Sequence, residues 1–143
     1  MEKEFIPYEQ ALELKELGFN EECFGCYELA EVRDYKNNGI EIRNEIVLNT
    51  LNGYRKYDDE SQTSAPLYQQ AFRWFREKHT YQCYIQFMNN SYAYWIGIKS
   101  IDFYYHSFNS TPRDMKIDSS WETYEEAELA CLKKLIEICK KKQ

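Results

Sequence analysis

Glycine and proline are scarce, at five and three of 143 residues. This excludes collagen-like and Pro/Gly-rich chains, and 43% hydrophobic with 29% charged residues excludes the disordered class as well. Long apolar runs are missing too: none approaches the roughly 18 residues of a membrane span. Met1-Glu2-Lys3-Glu4 also puts charge where a signal peptide would begin its apolar stretch. Histidine is limited to His79 and His106, and neither stands in a Ser, Cys or Asp pattern of the kind that nucleophilic catalysis uses. The expectation is a soluble single domain spanning residues 1–143, with no catalytic residue assigned.

The five cysteines, Cys23, Cys26, Cys83, Cys131 and Cys139, are odd in number and show no framework spacing, so structural disulfides are not expected. Cys23-Phe24-Gly25-Cys26 is formally a C-x-x-C, but it follows a helix and enters a strand, whereas the redox motif sits at a helix N-terminus. For zinc, a second pair would have to come from His79, Cys83 or His106, which form no tight pair. The motif is expected to be inert, and no metal or cofactor is expected.

Positive charge is in deficit. The net charge is -6, which argues against a nucleic-acid backbone as partner, because such binding displaces counterions with clustered Lys and Arg. The imbalance is local: residues 1–60 carry seven basic and fifteen acidic side chains, and residues 61–143 carry eleven and nine. An anionic ligand would therefore prefer the second half. Aromatics are abundant at 17%, including 13 Tyr, more than a core of this size needs, so some Tyr hydroxyls should face solvent or a partner.

Tyr8, Ala11, Leu12, Leu14 and Leu17 recur at helical spacing between Pro7 and Gly18, which predicts a helix over 7–17 onto which Phe19 folds back. Apolar and β-branched stretches at 23–32 and 40–51, separated by Asn37-Asn38-Gly39, predict a hairpin, and Asn52-Gly53 a second turn. Residues 57–63, with the run Asp58-Asp59-Glu60, read as an exposed loop. Ser64-Ala65-Pro66 is expected to open a second helix whose core face holds Leu67, Ala71, Trp74, Phe75 and Lys78, flanked by Tyr68 and Phe72. Gln69, Arg73, Arg76, Glu77 and Thr80 share its other side.

Three strands are expected at 81–88, 91–99 and 101–108, with both faces of the middle one carrying aromatics, then a loop over 109–120. Thr123 and Glu126 have capping-box spacing before a last helix that runs to about Cys139 and ends in Lys140, Lys141 and Lys142. The predicted class is α+β, a mainly antiparallel sheet with about three helices in the order α-β-β-α-β-β-β-α.

The most suggestive group is Arg73 and Arg76 with Gln69 and Tyr68, because two guanidiniums one turn apart can grip a phosphate or carboxylate. A solvated helix face would show the same pattern. Trp95 with Tyr104, Tyr105 and His106 could stack on a base, and an aromatic-rich core would look alike. The candidate ligand-binding residues are therefore Tyr68, Gln69, Arg73, Arg76, Trp95, Tyr104 and His106.

Three segments carry a resemblance: Phe5-Ile6-Pro7-Tyr8-Glu9-Gln10-Ala11-Leu12-Glu13-Leu14-Lys15 through Cys23-Phe24-Gly25, Ala65-Pro66-Leu67-Tyr68-Gln69-Gln70-Ala71-Phe72-Arg73-Trp74-Phe75-Arg76-Glu77-Lys78, and Thr123-Tyr124-Glu125-Glu126-Ala127-Glu128-Leu129-Ala130-Cys131-Leu132. Together they resemble a family of small accessory proteins of tailed phages and mobile elements in Bacteroidetes. The resemblance implies a setting, a phage accessory gene acting in the host cytoplasm, rather than a reaction, and it assigns no residue a role. The expected function is non-enzymatic binding and sequestration of a small anionic, nucleotide-like ligand in counter-defence. The alternative is a protein-binding inhibitor that presents an acidic surface to a host factor. No membrane partner is expected, and either reading is compatible with an oligomer.

Overall fold

A computed structural model describes residues 2–34, 39–48, 62–88, 90–98 and 118–142. They fall into two compact units, Met1–Leu67 and Tyr68–Gln143.

In the first unit, helix α1 (Tyr8–Glu16) starts after Pro7, whose extended backbone serves as the N-cap. Pro7 has no N–H to lose there, and its carbonyl accepts from Ala11 at 3.0 Å. The helix stops at Gly18, which has a φ of 93°. The Phe19 N–H bonds to the Leu14 carbonyl at 2.9 Å and the Gly18 N–H to the Lys15 carbonyl at 3.0 Å, the paired bonds of a Schellman stop. Leu14 and Phe19, the two positions that commonly pair apolar side chains at such a stop, are both buried.

Strands β1 (Gly25–Asp34) and β2 (Gly39–Leu48) form the expected antiparallel hairpin, in register from Gly25 opposite Leu48 to Asp34 opposite Gly39. The other edge of β1 is taken by a short strand, β3 (Thr63–Ala65), giving the order β2-β1-β3. This corrects two expectations. Thr63 is buried rather than in an exposed loop, and Ser64-Ala65-Pro66 does not open a helix. The backbone groups of β3 pair with Gly25–Tyr27, and the Pro66 carbonyl accepts from the Ile6 N–H at 3.0 Å, so this stretch is extended. The Tyr27 hydroxyl donates to the Ile6 carbonyl, and its ring meets Tyr8 edge-on at 5.3 Å. Phe5, Ile6, Leu14, Cys23, Cys26 and Ala65 complete this core.

Gly25 is where β2 closes in on β1. A Cβ there would lie 3.0 Å from the Val47 carbonyl oxygen and 3.3 Å from side-chain carbons of Ile46 and Leu48. Because the nearest obstacle is backbone, Gly25→Ala should cost about 1–3 kcal/mol, read as a lower urea midpoint. An unchanged midpoint would mean that β2 can move away.

In the second unit, α2 (Tyr68–Lys78) buries Tyr68, Gln70, Ala71, Phe72, Trp74 and Phe75. Thr80, expected on the polar side of this helix, has instead a φ of 61° and turns the chain into the next strand. Lys78, placed on the core side from spacing, is exposed at the helix end, where its charge suits the dipole. Strands β4 (Tyr81–Met88) and β5 (Ser91–Ile98) pair antiparallel through a turn in which Met88 faces Ser91 and Asn90 has a φ of 62°. The third strand of this sheet is β6 (Asp118–Trp121), on the far edge of β5. It lies at the end of a stretch expected to be loop. Four residues are too few to show a period, and their pairing with Tyr92 and Tyr94 is long-range.

Helix α3 (Tyr124–Lys140) starts at the anticipated capping box. The Thr123 hydroxyl accepts from the Glu126 N–H at 3.2 Å, and the Glu126 carboxylate accepts from the Thr123 N–H at 3.2 Å. Thr123→Ala should therefore cost about 1 kcal/mol, measurable by thermal or urea unfolding. No loss would show that the box contributes nothing to stability. Ala127, Cys131, Leu132, Leu135, Ile136 and Cys139 form the buried stripe of α3.

The class is α+β with antiparallel sheets, and the order of helices and longer strands is as the sequence predicts, with β3 added. The strand expected at 101–108 and the turns at Asn37-Asn38 and Asn52-Gly53 lie outside the described residues. Among the described residues, no helix is long and apolar enough to cross a membrane.

Candidate functional site

The apolar spacing of α2 decides which of its polar residues reach solvent. With Ala71, Trp74 and Phe75 buried, Gln69 and Arg73 lie one turn apart on the exposed side. Arg76, three residues after Arg73, is half-buried. It sits close enough to Cys83 of β4 for its charge to act on that thiol. Tyr68 belongs elsewhere: it is 8% exposed, and its ring packs on Phe72 at 6.2 Å. The structure therefore brings Gln69, Arg73 and Arg76 together and turns Tyr68 into the core.

Trp95 is on the central strand β5, and its position follows from the register. It faces Tyr84 of β4, and the two rings stack at 5.8 Å with an interplanar angle of 11°. Tyr84 is 48% exposed, so the pair offers an open aromatic surface. The indole Nε1 of Trp95 is buried with no hydrogen-bond acceptor among the described residues.

Strand alternation places Cys83 on the other side of the sheet from Tyr84 and Trp95. That other side meets α3, through Cys83 with Cys131 and through Tyr92, whose ring lies 6.0 Å from Tyr124. The guanidinium beside Cys83 and the Trp95–Tyr84 stack are thus two separate features rather than one pocket. Tyr104, Tyr105 and His106 lie outside the described residues.

Two features had no sequence signal. Tyr84 was one of many tyrosines until the register paired it with Trp95. Cys83 and Cys131 are far apart in sequence, yet across β4 and α3 they lie close enough for each thiol to act on the other's ionisation. Cys131 and the Arg76 charge lower the Cys83 pKa, against burial and the Glu128 carboxylate. The Cys131 thiol is raised by Cys83 and by burial. Burial, with Glu125 nearby, also raises the Glu128 carboxyl.

The C-x-x-C behaves differently. Cys23 and Cys26 are both buried, and burial pushes the Cys23 thiol up to about 12, opposed by a hydrogen bond with Ser64. A thiol held protonated in this way is a poor nucleophile and a poor metal ligand. His79 packs against the rings of Trp74 and Phe75 at 4.7 and 5.8 Å, and burial followed by the Lys142 charge lowers its pKa. Among the described residues, no three His, Cys, Asp or Glu side chains are placed to hold a metal ion.

Compared with known proteins, the chain matches no family model, no curated protein and no solved structure.

Proposed function

We propose that the chain is a non-enzymatic phage accessory protein that binds and sequesters a small anionic, nucleotide-like ligand in the host cytoplasm, in a counter-defence role. The observation that carries this reading is the shared face of α2, where Gln69, Arg73 and Arg76 follow at four- and three-residue spacing. Two guanidiniums with an amide at that spacing suit a phosphate, because each planar fork can donate two parallel bonds. Half-burial of Arg76 favours binding further, since a side chain already restrained loses less freedom when a ligand arrives. The Trp95–Tyr84 stack lies on the other side of β4–β5 from Cys83 and is not required for the anionic group.

The test is a thermal-shift panel of mono-, di- and cyclic nucleotides on the full chain. A ligand at about 100 times its dissociation constant adds roughly 2.7 kcal/mol to stability. A shift with phosphate-bearing compounds and none with the matching nucleosides supports the proposal. No shift anywhere sinks it and favours the alternative, inhibition of a host factor through an acidic surface.

A further inference from the structure

We propose that Phe87, Tyr92 and Tyr124, edged by Glu125 and Glu128, form a docking surface for an arginine-bearing basic segment of a partner protein. The inference does not rest on the anion-binding reading, which concerns the polar face of α2.

The surface is assembled from three strands and a helix start. Phe87 and Tyr92 lie directly opposite each other in the β4–β5 register, and their rings meet at 5.1 Å with an interplanar angle of 60°. Trp121 of β6 is opposite Tyr92 on its other edge, so an aromatic row crosses all three strands at this end of the sheet. Helix α3 begins at Tyr124, whose ring stands at 89° to that of Tyr92, 6.0 Å away. Strand alternation puts Phe87 on the same side of the sheet as Cys83, but about 13 Å farther along β4 at the usual rise per residue. Phe87 is 59% exposed and Tyr124 45%, and half-buried Tyr92 touches both rings. Adjoining aromatic rings left in water in this way mark an interaction surface rather than scattered apolar exposure.

The surrounding charge selects the partner. Helical spacing sets Glu128 one turn after Tyr124 on the same face, with Glu125 three residues before Glu128. Glu126 is already engaged, since its carboxylate accepts from the Glu122 and Thr123 N–H groups at 3.1 and 3.2 Å. Glu125 and Glu128 have no hydrogen bond or ion pair among the described residues. They also disfavour each other's charge: Glu125 adds to burial in raising the Glu128 carboxyl. A guanidinium answers both halves of this surface, because it can lie flat on a Tyr or Phe ring while its N–H groups donate to a carboxylate. A lysine ammonium supplies the charge without the planar face. Aromatic side chains and arginine are also the residues that carry most of the energy at protein interfaces. A second copy of this chain fits less well, because a twofold pair sets the same patch against itself and brings like carboxylates together.

The test measures binding of a short fluorescein-labelled Arg-Gly repeat peptide to the full chain by anisotropy, beside the matching Lys-Gly and Glu-Gly repeats. The expected result is saturable binding of the Arg-Gly peptide, at least about threefold weaker binding of Lys-Gly, and none of Glu-Gly. Phe87→Ser and the pair Glu125→Gln and Glu128→Gln should each weaken the Arg-Gly peptide at least about tenfold. The control pair Glu4→Gln and Glu9→Gln, exposed carboxylates of the first unit, should stay within about twofold of the parent. A benzophenone-bearing Arg-Gly peptide, photo-cross-linked to the unaltered protein, should map to the tryptic peptides 79–99 and 117–133, which hold the aromatic row and the start of α3. That map decides the matter even if a variant fails to fold. The proposal is overturned by an absence of saturable binding, by cross-links confined to other peptides, or by an equal loss in the control pair, which would mean general attraction to an acidic chain. Concentration-dependent dimerisation that Phe87→Ser abolishes would also overturn it and give the patch to a second copy.

Discussion

Replacing Phe75 by alanine is expected to cost about 3–5 kcal/mol of unfolding free energy. The side chain is 0% exposed and sits on the buried stripe of α2. Its ring packs edge-on against Trp74 at 5.0 Å and lies 5.8 Å from His79. Two effects add: the transfer energy of the lost ring, and the contacts that Trp74 and its neighbours forfeit around a cavity they cannot fill. Both aromatic neighbours are themselves held, so little collapse is available. Urea denaturation with a fixed slope would show the loss as a lower midpoint. A loss below about 1 kcal/mol would mean that the site relaxes, and that the packing around Phe75 is looser than the structure indicates.

The double substitution Arg73→Ala and Arg76→Ala is expected to weaken nucleotide binding at least about a hundredfold. Each charge-assisted contact contributes roughly 1.5–3 kcal/mol, so losing two removes most of the affinity of a small anion. Arg73 is exposed but Arg76 is half-buried, so the stability control has to be measured for each variant separately. Arg73→Ala alone should change stability by no more than about 0.5 kcal/mol. Arg73→Lys sharpens the test, since it retains the charge but loses the planar fork and should bind less tightly than the parent. If nucleotide-induced stabilisation is identical in the parent and a folded double variant, α2 is not the binding face.

The local devices of this fold were readable before any coordinates. Gly18 after an apolar helix, and Thr123 three residues before Glu126, each act within one turn of chain, so the Schellman stop and the capping box follow from neighbouring residues. The β1–β2 hairpin was readable for the same reason: an Asn-Asn-Gly separator lies between two β-rich runs. Gln69, Arg73 and Arg76 share a face because helical periodicity alone places them there. Tyr68 is offset from Gln69 by the 100° step between adjacent helical residues, which puts it at the flank of the core face, and it is buried.

What only tertiary structure decided is what depends on pairing between distant segments. Strands β3 and β6, of three and four residues, have no internal period, and each exists because a longer strand offers it an edge. The side of the sheet that Trp95 takes was set by its register with Tyr84, and a slip of one residue would have moved it to the side facing α3. Cys83 and Cys131 became neighbours only when α3 packed on β4, with Arg76 brought in from α2. The sequence by itself determined α1 and α3 with their end signals and the polar face of α2, because those rest on interactions within a few residues; the start of α2, the proximity of Cys83 to Cys131 and the aromatic stack were left to the folded chain, because they depend on long-range pairing and packing.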